Sequence, residues 1–181
     1  MQTGTTITWE EFLAAGKEGQ RWEYVDGEVE FMSPVNFRHE QFLLFLAGYL
    51  AQFCRTHAEW VGFVSNCVFT MASGNWRMPD ASLVRRERFP AGQMPVKAEF
   101  APDVAFEILS PSDSPSEIQR KRLDYQQSGV IQVWFDLERR LVELIYPDRP
   151  LQYYREDQTL AIEGVPGFSL DLQDLFSNLT Q

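Results

Sequence analysis

The 181-residue sequence is poor in the features that mark most specialised protein classes. Its two cysteines, Cys54 and Cys67, have no metal-ligand spacing and no disulfide framework around them, and they read as small core fillers. It has no long hydrophobic run: Phe42–Leu46 is far too short to cross a bilayer. The N-terminal MQTGTTITWEEF lacks a basic segment followed by an apolar stretch, so no signal peptide is expected and the expected location is the cytoplasm. Repeats, low-complexity tracts and long linkers are also missing, so residues 1–181 are expected to form one domain. Positive charge is scarce, with 16 Lys and Arg against 26 Asp and Glu and a net charge of −10. That balance argues against a whole surface built to grip nucleic acid, though it is compatible with a local basic patch. A surplus of carboxylates also suits a site that concentrates oxygen ligands around a cation.

What is present is a globular composition, 44% hydrophobic and 14% aromatic. Thr8 with Glu11 three residues later predicts a capping box opening a short helix over about 8–15. Arg21–Val25 and Glu28–Met32 alternate around Asp26-Gly27, a strong hairpin signal. Ser33-Pro34-Val35-Asn36 then breaks the chain. A long helix is predicted over 37–56, because His39, Phe42, Leu43, Leu46, Leu50 and Phe53 fall on one face at helical spacing. Val61–Met71 and Arg77–Arg85 read as two strands joined through Ser73-Gly74-Asn75. A polar loop with Pro90, Gly92 and Pro95 leads to a third strand, Asp103–Leu109. Ser114-Pro115 starts a helix to about 128, closed by Ser128-Gly129. Ile131–Leu137 and Leu141–Tyr146 are strands, Leu151–Arg155 is an edge strand, and Ser169–Phe176 reads as a short helix after a packed turn. The order predicts an α/β (α+β) fold: a central mixed sheet flanked by helices, preceded by an N-terminal helix and a β-hairpin.

Side chains alternate along a strand, so Glu107 shares a face with Asp103, Ala105 and Leu109 inside an otherwise apolar segment. A carboxylate near the end of a buried strand is costly unless it is paired or metal-bound. Asp80 repeats the pattern, between Met78-Pro79 and Ala81-Ser82-Leu83-Val84. Two such carboxylates are ligands of the kind that Mg²⁺ or Mn²⁺ prefers. On the following helix, Ile118, Lys121 and Tyr125 share one face, so Lys121 points inward, where a solvated lysine does not belong. A lysine beside a metal-bound water can orient it and neutralise a phosphate oxygen. Structural alternatives stand beside these readings. Asp80 and Glu107 can be strand-end carboxylates satisfied by local donors, Lys121 a lysine whose stem packs on Tyr125, and His39 a core histidine. Asp103 lies about 13 Å along the strand from Glu107, too far to share an ion. Asp26 and Glu28 read as exposed hairpin residues, and Arg85-Arg86-Glu87-Arg88 as a solvated loop, with contact to phosphate as the alternative.

The segments RWEYVDGEVEFMSPVNFRHEQF, RMPDASLV and PDVAFEILSPSDSPSEIQRKRLDYQQSGVIQVWFDLERRLVELIY together resemble a large bacterial family of restriction-endonuclease-like proteins, abundant in cyanobacteria, over about residues 8–176. The resemblance implies the PD-(D/E)xK superfamily core, α-β-β-β-α-β, and Mg²⁺-dependent cleavage of phosphodiester bonds. It puts the metal-binding, catalytic carboxylates at Asp80 and Glu107, with Pro79-Asp80 rather than Pro102-Asp103 as the motif's first half. The usual lysine two residues after the glutamate is Leu109 here, and the family's migrated helix lysine corresponds to Lys121. The family's helix histidine corresponds to His39, with Glu40 as the neighbouring alternative. DNA is the expected substrate, with RNA left open, no membrane partner expected, and a homodimer compatible with the reading. The alternatives are a non-catalytic binding or assembly module that keeps the fold, and a hydrolase of a smaller phosphoester.

Overall fold

A computed structural model describes residues 7–15, 21–32, 34–90 and 93–179. Ser33 and Gly92, both expected in loops, lie outside those residues. The expected capping box opens α1 (Trp9–Ala15): Glu11 N–H donates to Thr8 Oγ1 at 3.1 Å, and Thr8 N–H to Glu11 Oε2 at 2.7 Å. The hairpin follows as β1 (Trp22–Val25) and β2 (Glu28–Phe31). Its turn residues, Asp26 and Gly27, both take positive φ (52° and 93°), as a tight two-residue hairpin turn requires. The long helix is α2 (Phe37–Thr56), started by the Asn36 side chain accepting from His39 N–H at 2.9 Å. Its buried residues are the six that the periodicity selects.

The two expected strands after α2 are each broken, which is a correction with a physical cause. Val61–Met71 becomes β3 (Trp60–Val64) and β4 (Phe69–Thr70), separated where Ser65 and Asn66 adopt left-handed φ. Arg77–Arg85 becomes β5 (Trp76–Arg77) and β6 (Ala81–Arg85), separated by Met78-Pro79-Asp80, where Pro79 has no N–H for a ladder. β3 pairs with β6, and β4 with β5, so the hairpin is real but its two halves enter different sheets. The third strand is β7 (Val104–Ile108), and α3 (Pro115–Gln127) follows behind a full Ser114/Glu117 capping box.

β8 (Ile131–Asp136), β9 (Leu141–Ile145) and the edge strand β10 (Gln152–Arg155) complete a six-stranded sheet ordered β10-β9-β8-β7-β6-β3. Only the β7–β8 pair is parallel within it, joined by the α3 crossover. The small sheet runs β2-β1-β5-β4. At the C-terminus, β11 (Thr159–Ala161) pairs with β12 (Ser169–Asp171) before α4 (Leu172–Ser177). The expected helix over Ser169–Phe176 therefore loses its first turn to a strand.

Strand parity divides the core. Val104, Phe106, Ile108, Val133 and Phe135 pack with α2 and α4 on one face of the large sheet. Ala105, Val130 and Trp134 pack with Tyr125 and Ile118 of α3 on the other. Among the described residues, no helix is long and apolar enough to cross a membrane. The half-buried Cys54 and Cys67 are free thiols packed against these two clusters, and burial raises both above the ordinary thiol pKa. Leu46, fully buried on the inner face of α2, should be costly to truncate: Leu46→Ala is expected to destabilise by about 2–5 kcal/mol in denaturant unfolding. Leu44→Ala, on the helix's exposed side, should stay within about 0.5 kcal/mol, and equal losses would refute the assigned face.

Candidate active site

The break that separates the two sheets also sets up the site. β6 pairs with β7 as Ala81↔Phe106 and Ser82↔Ala105, and one step further that register sets Asp80 opposite Glu107. Directly opposed residues on antiparallel strands project to the same face. Asp80 does more than sit there: its Oδ2 accepts from Ile108 N–H at 2.9 Å, tying it to the residue after Glu107. α2 adds His39, whose Nε2–H donates to the same Oδ2 at 3.1 Å, and Arg21 donates to Oδ1 at 3.3 Å. α3 adds Lys121, whose Nζ lies 2.9 Å from Glu107 Oε1, and Tyr125, whose hydroxyl donates to the same oxygen at 2.6 Å. Asp80, Glu107, Lys121 and His39 are all buried, none more than 8% exposed, and all four line one cavity of about 150 Å³. The structure thus brings the four sequence-selected residues together.

Electrostatics separate the two carboxylates. Burial raises Asp80, but the His39 hydrogen bond and the charges of His39, Lys121 and Arg21 outweigh it and hold the carboxyl below its usual range. Burial dominates at Glu107, with Asp80 repelling and Lys121 and Tyr125 only partly compensating, so its carboxyl is pushed up to about 7. Burial opposes the charge on Lys121, yet Glu107, Glu23 and Asp80 hold it firmly protonated. Both donors to Glu107 use Oε1.

Other sequence candidates fall outside the cluster. Asp103 accepts from Arg85 N–H at 2.8 Å and pairs with Arg88, a strand-start role. Arg85 lies over the Trp60 ring and Arg88 over Phe100, so the basic loop braces its surroundings. Glu40 is exposed; its Oε1 is 3.7 Å from His39 Nδ1, a buried atom with no hydrogen-bond partner among the described residues. Asp26 and Glu28 are exposed, as expected.

Three buried charged residues escaped the sequence reading: Glu23, Arg77 and Asp124. Glu23 Oε1 lies 3.3 Å from Lys121 Nζ and accepts from Met78 N–H at 2.8 Å. Burial opposes its ionisation, but Lys121, Arg77 and the Met78 amide together keep its pKa lowered. A signal did exist, since the Asp26-Gly27 turn dictates that Glu23 faces Glu30 across the hairpin. Two opposed glutamates are unfavourable without cations, and α3 supplies them: Lys121 to Glu23, and Arg120 to Glu30 at 2.8 and 3.1 Å.

A family model, Uma2, described as "Putative restriction endonuclease", matches residues 9–173. A crystal structure described as a putative nuclease belonging to DUF820, from Anabaena variabilis, aligns with a TM-score of 0.84 at 21% sequence identity, covering 96% of this chain and 99% of that one. At that identity the likeness is one of fold. Among curated proteins there is no match. With the match extending over nearly the whole chain, this protein belongs to the Uma2 family.

Proposed function

We propose that the protein is a metal-dependent nuclease that hydrolyses phosphodiester bonds of DNA, with RNA as the open second substrate. The observation that carries this reading is that Asp80, tied to Ile108 N–H, and Glu107, with the Lys121 ammonium 2.9 Å away, line one cavity. Among the described residues no group of three or more His, Cys, Asp or Glu could enclose a metal ion. Two carboxylates nevertheless fit Mg²⁺ or Mn²⁺, because such ions keep several waters and take one or two carboxylates plus substrate phosphate oxygens. Asp80 and Glu107 would hold the ion, with a main-chain carbonyl beside Glu107. When bound, it would supply Lewis acidity at phosphate and an acidified water.

The remaining roles belong to this chain's own groups. His39 and Ile108 N–H fix the Asp80 carboxylate through Oδ2. Tyr125 fixes Glu107 through Oε1, which leaves Oε2 for a ligand. Lys121 would orient the attacking water or neutralise a phosphate oxygen as negative charge develops there. Arg21, partly exposed at the same cavity, would add positive charge on the substrate side.

Nicking of supercoiled plasmid tests the reading. Wild type should nick only with Mg²⁺ or Mn²⁺, and Asp80→Ala and Glu107→Ala should each abolish it with unchanged circular dichroism. Lys121→Met should slow nicking strongly while retaining metal binding. Wild-type rates in Glu107→Ala would show that the activity comes from elsewhere, and a protein that binds metal without nicking would be a binding module.

Metal binding has its own signature. A cation that binds only the folded chain stabilises it by about 2.7 kcal/mol at a hundredfold excess over Kd. For a chain of this size that is roughly 5–10 °C in melting temperature. Millimolar Mn²⁺ should give wild type such a rise and Glu107→Ala little of it; equal rises would mean a general response to the −10 charge.

The pH dependence follows from Glu107. Its folded pKa, about 7, lies above the ordinary value of 4.5, so between those values the folded chain holds a proton that the unfolded chain has lost, and stability falls as pH rises from about 4.5 to about 7. Metal-free protein should therefore gain stability as pH falls from about 7 to about 4.5. Glu23 and Asp80 act oppositely, and the stability they contribute is lost only at more acidic pH. Glu107→Gln should flatten the profile between about pH 7 and 4.5; an unchanged slope in that variant would assign the effect to another group.

A further inference from the structure

Lys121 reaches the site on a flexible stem from a helix, whereas a lysine two residues after Glu107 would come from the rigid strand itself. Something must fix its ammonium, because displacing a reacting group by about 1 Å can cost about 10²-fold in rate. Glu107 alone gives one anchor. The second is Glu23, at 3.3 Å.

Glu23 is itself immobilised. Its Oε1 accepts from Met78 N–H, and its Oε2 from Arg77 Nη1 at 2.8 Å. Arg77 Nε in turn donates to Asp124 Oδ2 at 2.7 Å. Asp124 is held again by Asn75 Nδ2 at 3.0 and 3.1 Å and by Ser73 Oγ at 2.7 Å. Asp124 lies three residues after Lys121 on α3, so the path returns to the helix it left. Lys121, Glu23, Arg77 and Asp124 thus close a ring of alternating charge, buried throughout, that joins the small sheet to α3. The ring is neutral in sum, which limits the cost of burying it. Glu107 stands outside it and shares Lys121 with it.

We propose that Glu23 is a positioning residue for the nuclease reaction: it divides the Lys121 ammonium between itself and Glu107 and fixes where that ammonium stands in the cavity. The inference rests on the nuclease reading for its kinetic consequence, but its structural claim is independent of it. Without Glu23, Lys121 would collapse onto Glu107 or swing towards solvent, while the metal-binding carboxylates would keep their other partners.

The test uses the full chain labelled with ¹⁵N-lysine. There are three lysines, Lys17, Lys97 and Lys121, so the ammonium signals are few and the one absent from Lys121→Met is assigned. Wild type should show a slowly exchanging Lys121 signal, shifted from that of a solvated lysine. Glu23→Gln should move that signal or broaden it beyond detection. Glu30→Gln, which loosens the same hairpin through Arg120, should leave it in place. A folded Glu23→Gln with an unmoved Lys121 signal would overturn the proposal and make the ring a purely structural brace. In cleavage, Glu23→Gln should lower kcat about 10²-fold with KM little changed; a rise in KM alone would also overturn the positioning role. If wild type does not cleave at all, the nuclease reading fails, and the ammonium signal still decides what Glu23 does. Should Glu23→Gln not fold, Glu23→Asp, which keeps the charge but withdraws it by one methylene, carries the same test with the same outcomes.

Discussion

The structure around the cavity depends on one constraint: three carboxylates taken out of water must be neutralised locally, by the Lys121 ammonium that two of them share and by the guanidinium groups of Arg21 and Arg77. Isolated ions of this kind cost several kcal/mol each to bury, and pairing offsets that cost only with close geometry and satisfied hydrogen bonds. Lys121 meets the condition by touching both Glu107 and Glu23, and Asp80 by collecting His39, Arg21 and the Ile108 amide. The compensation is uneven. Asp80 and Glu23 are held ionised, while of these three carboxyls Glu107 is the one that burial raises, to about 7. In the proposed reading a divalent ion would relieve this imbalance, because it would supply positive charge between an under-compensated carboxylate and an ionised one.

The fold delivers these groups through its breaks as much as through its regular elements. Had Met78-Pro79-Asp80 continued a strand, β5 and β6 would be one strand and the small sheet would merge with the large one. Pro79 ends the ladder, the chain changes sheet, and Asp80 arrives opposite Glu107 while Arg77 stays in the small sheet facing Glu23. The two catalytic candidates and the ring that braces Lys121 are therefore consequences of the same interruption. α3 is the counterpart: its capped N-terminus and buried face deliver Lys121, Asp124 and Tyr125 within little more than one turn.

Much of this was legible in the sequence because the signals were local. The apolar stripe of α2, the Asp26-Gly27 turn, the parity of β7 and the inward face of α3 each follow from a few consecutive residues, and they bring out His39, Glu107 and Lys121; Asp80 stands out as a carboxylate in a core-like segment, and the family resemblance adds the site role of His39 and the Pro79-Asp80 motif. The splitting of the two strands after α2 was less legible, since left-handed Ser65 and Asn66 have no strong local signature, although Pro79 does. Arg77 and Asp124 were not legible at all. Their partners lie 54 and 47 residues away, and nothing in their own surroundings distinguishes a buried arginine from an exposed one. Glu23 falls between these cases: its opposition to Glu30 follows from the turn, but its contact with Lys121 requires knowing that the hairpin lies against α3. The family resemblance, which implies a lysine moved from the strand to the helix, adds a role for Lys121 that nothing at Leu109 signals.

The central claim is that Asp80 and Glu107 form one cation seat, and crystallography with anomalous scattering from Mn²⁺ tests it most directly. The account predicts a single strong anomalous peak at about 2.0–2.6 Å from an oxygen of each carboxylate, with Lys121 near it but not ligating. Crystals saturated with Mn²⁺ that show no peak between Asp80 and Glu107, or that show Lys121 occupying the seat with both carboxylates closed around it, would contradict the account.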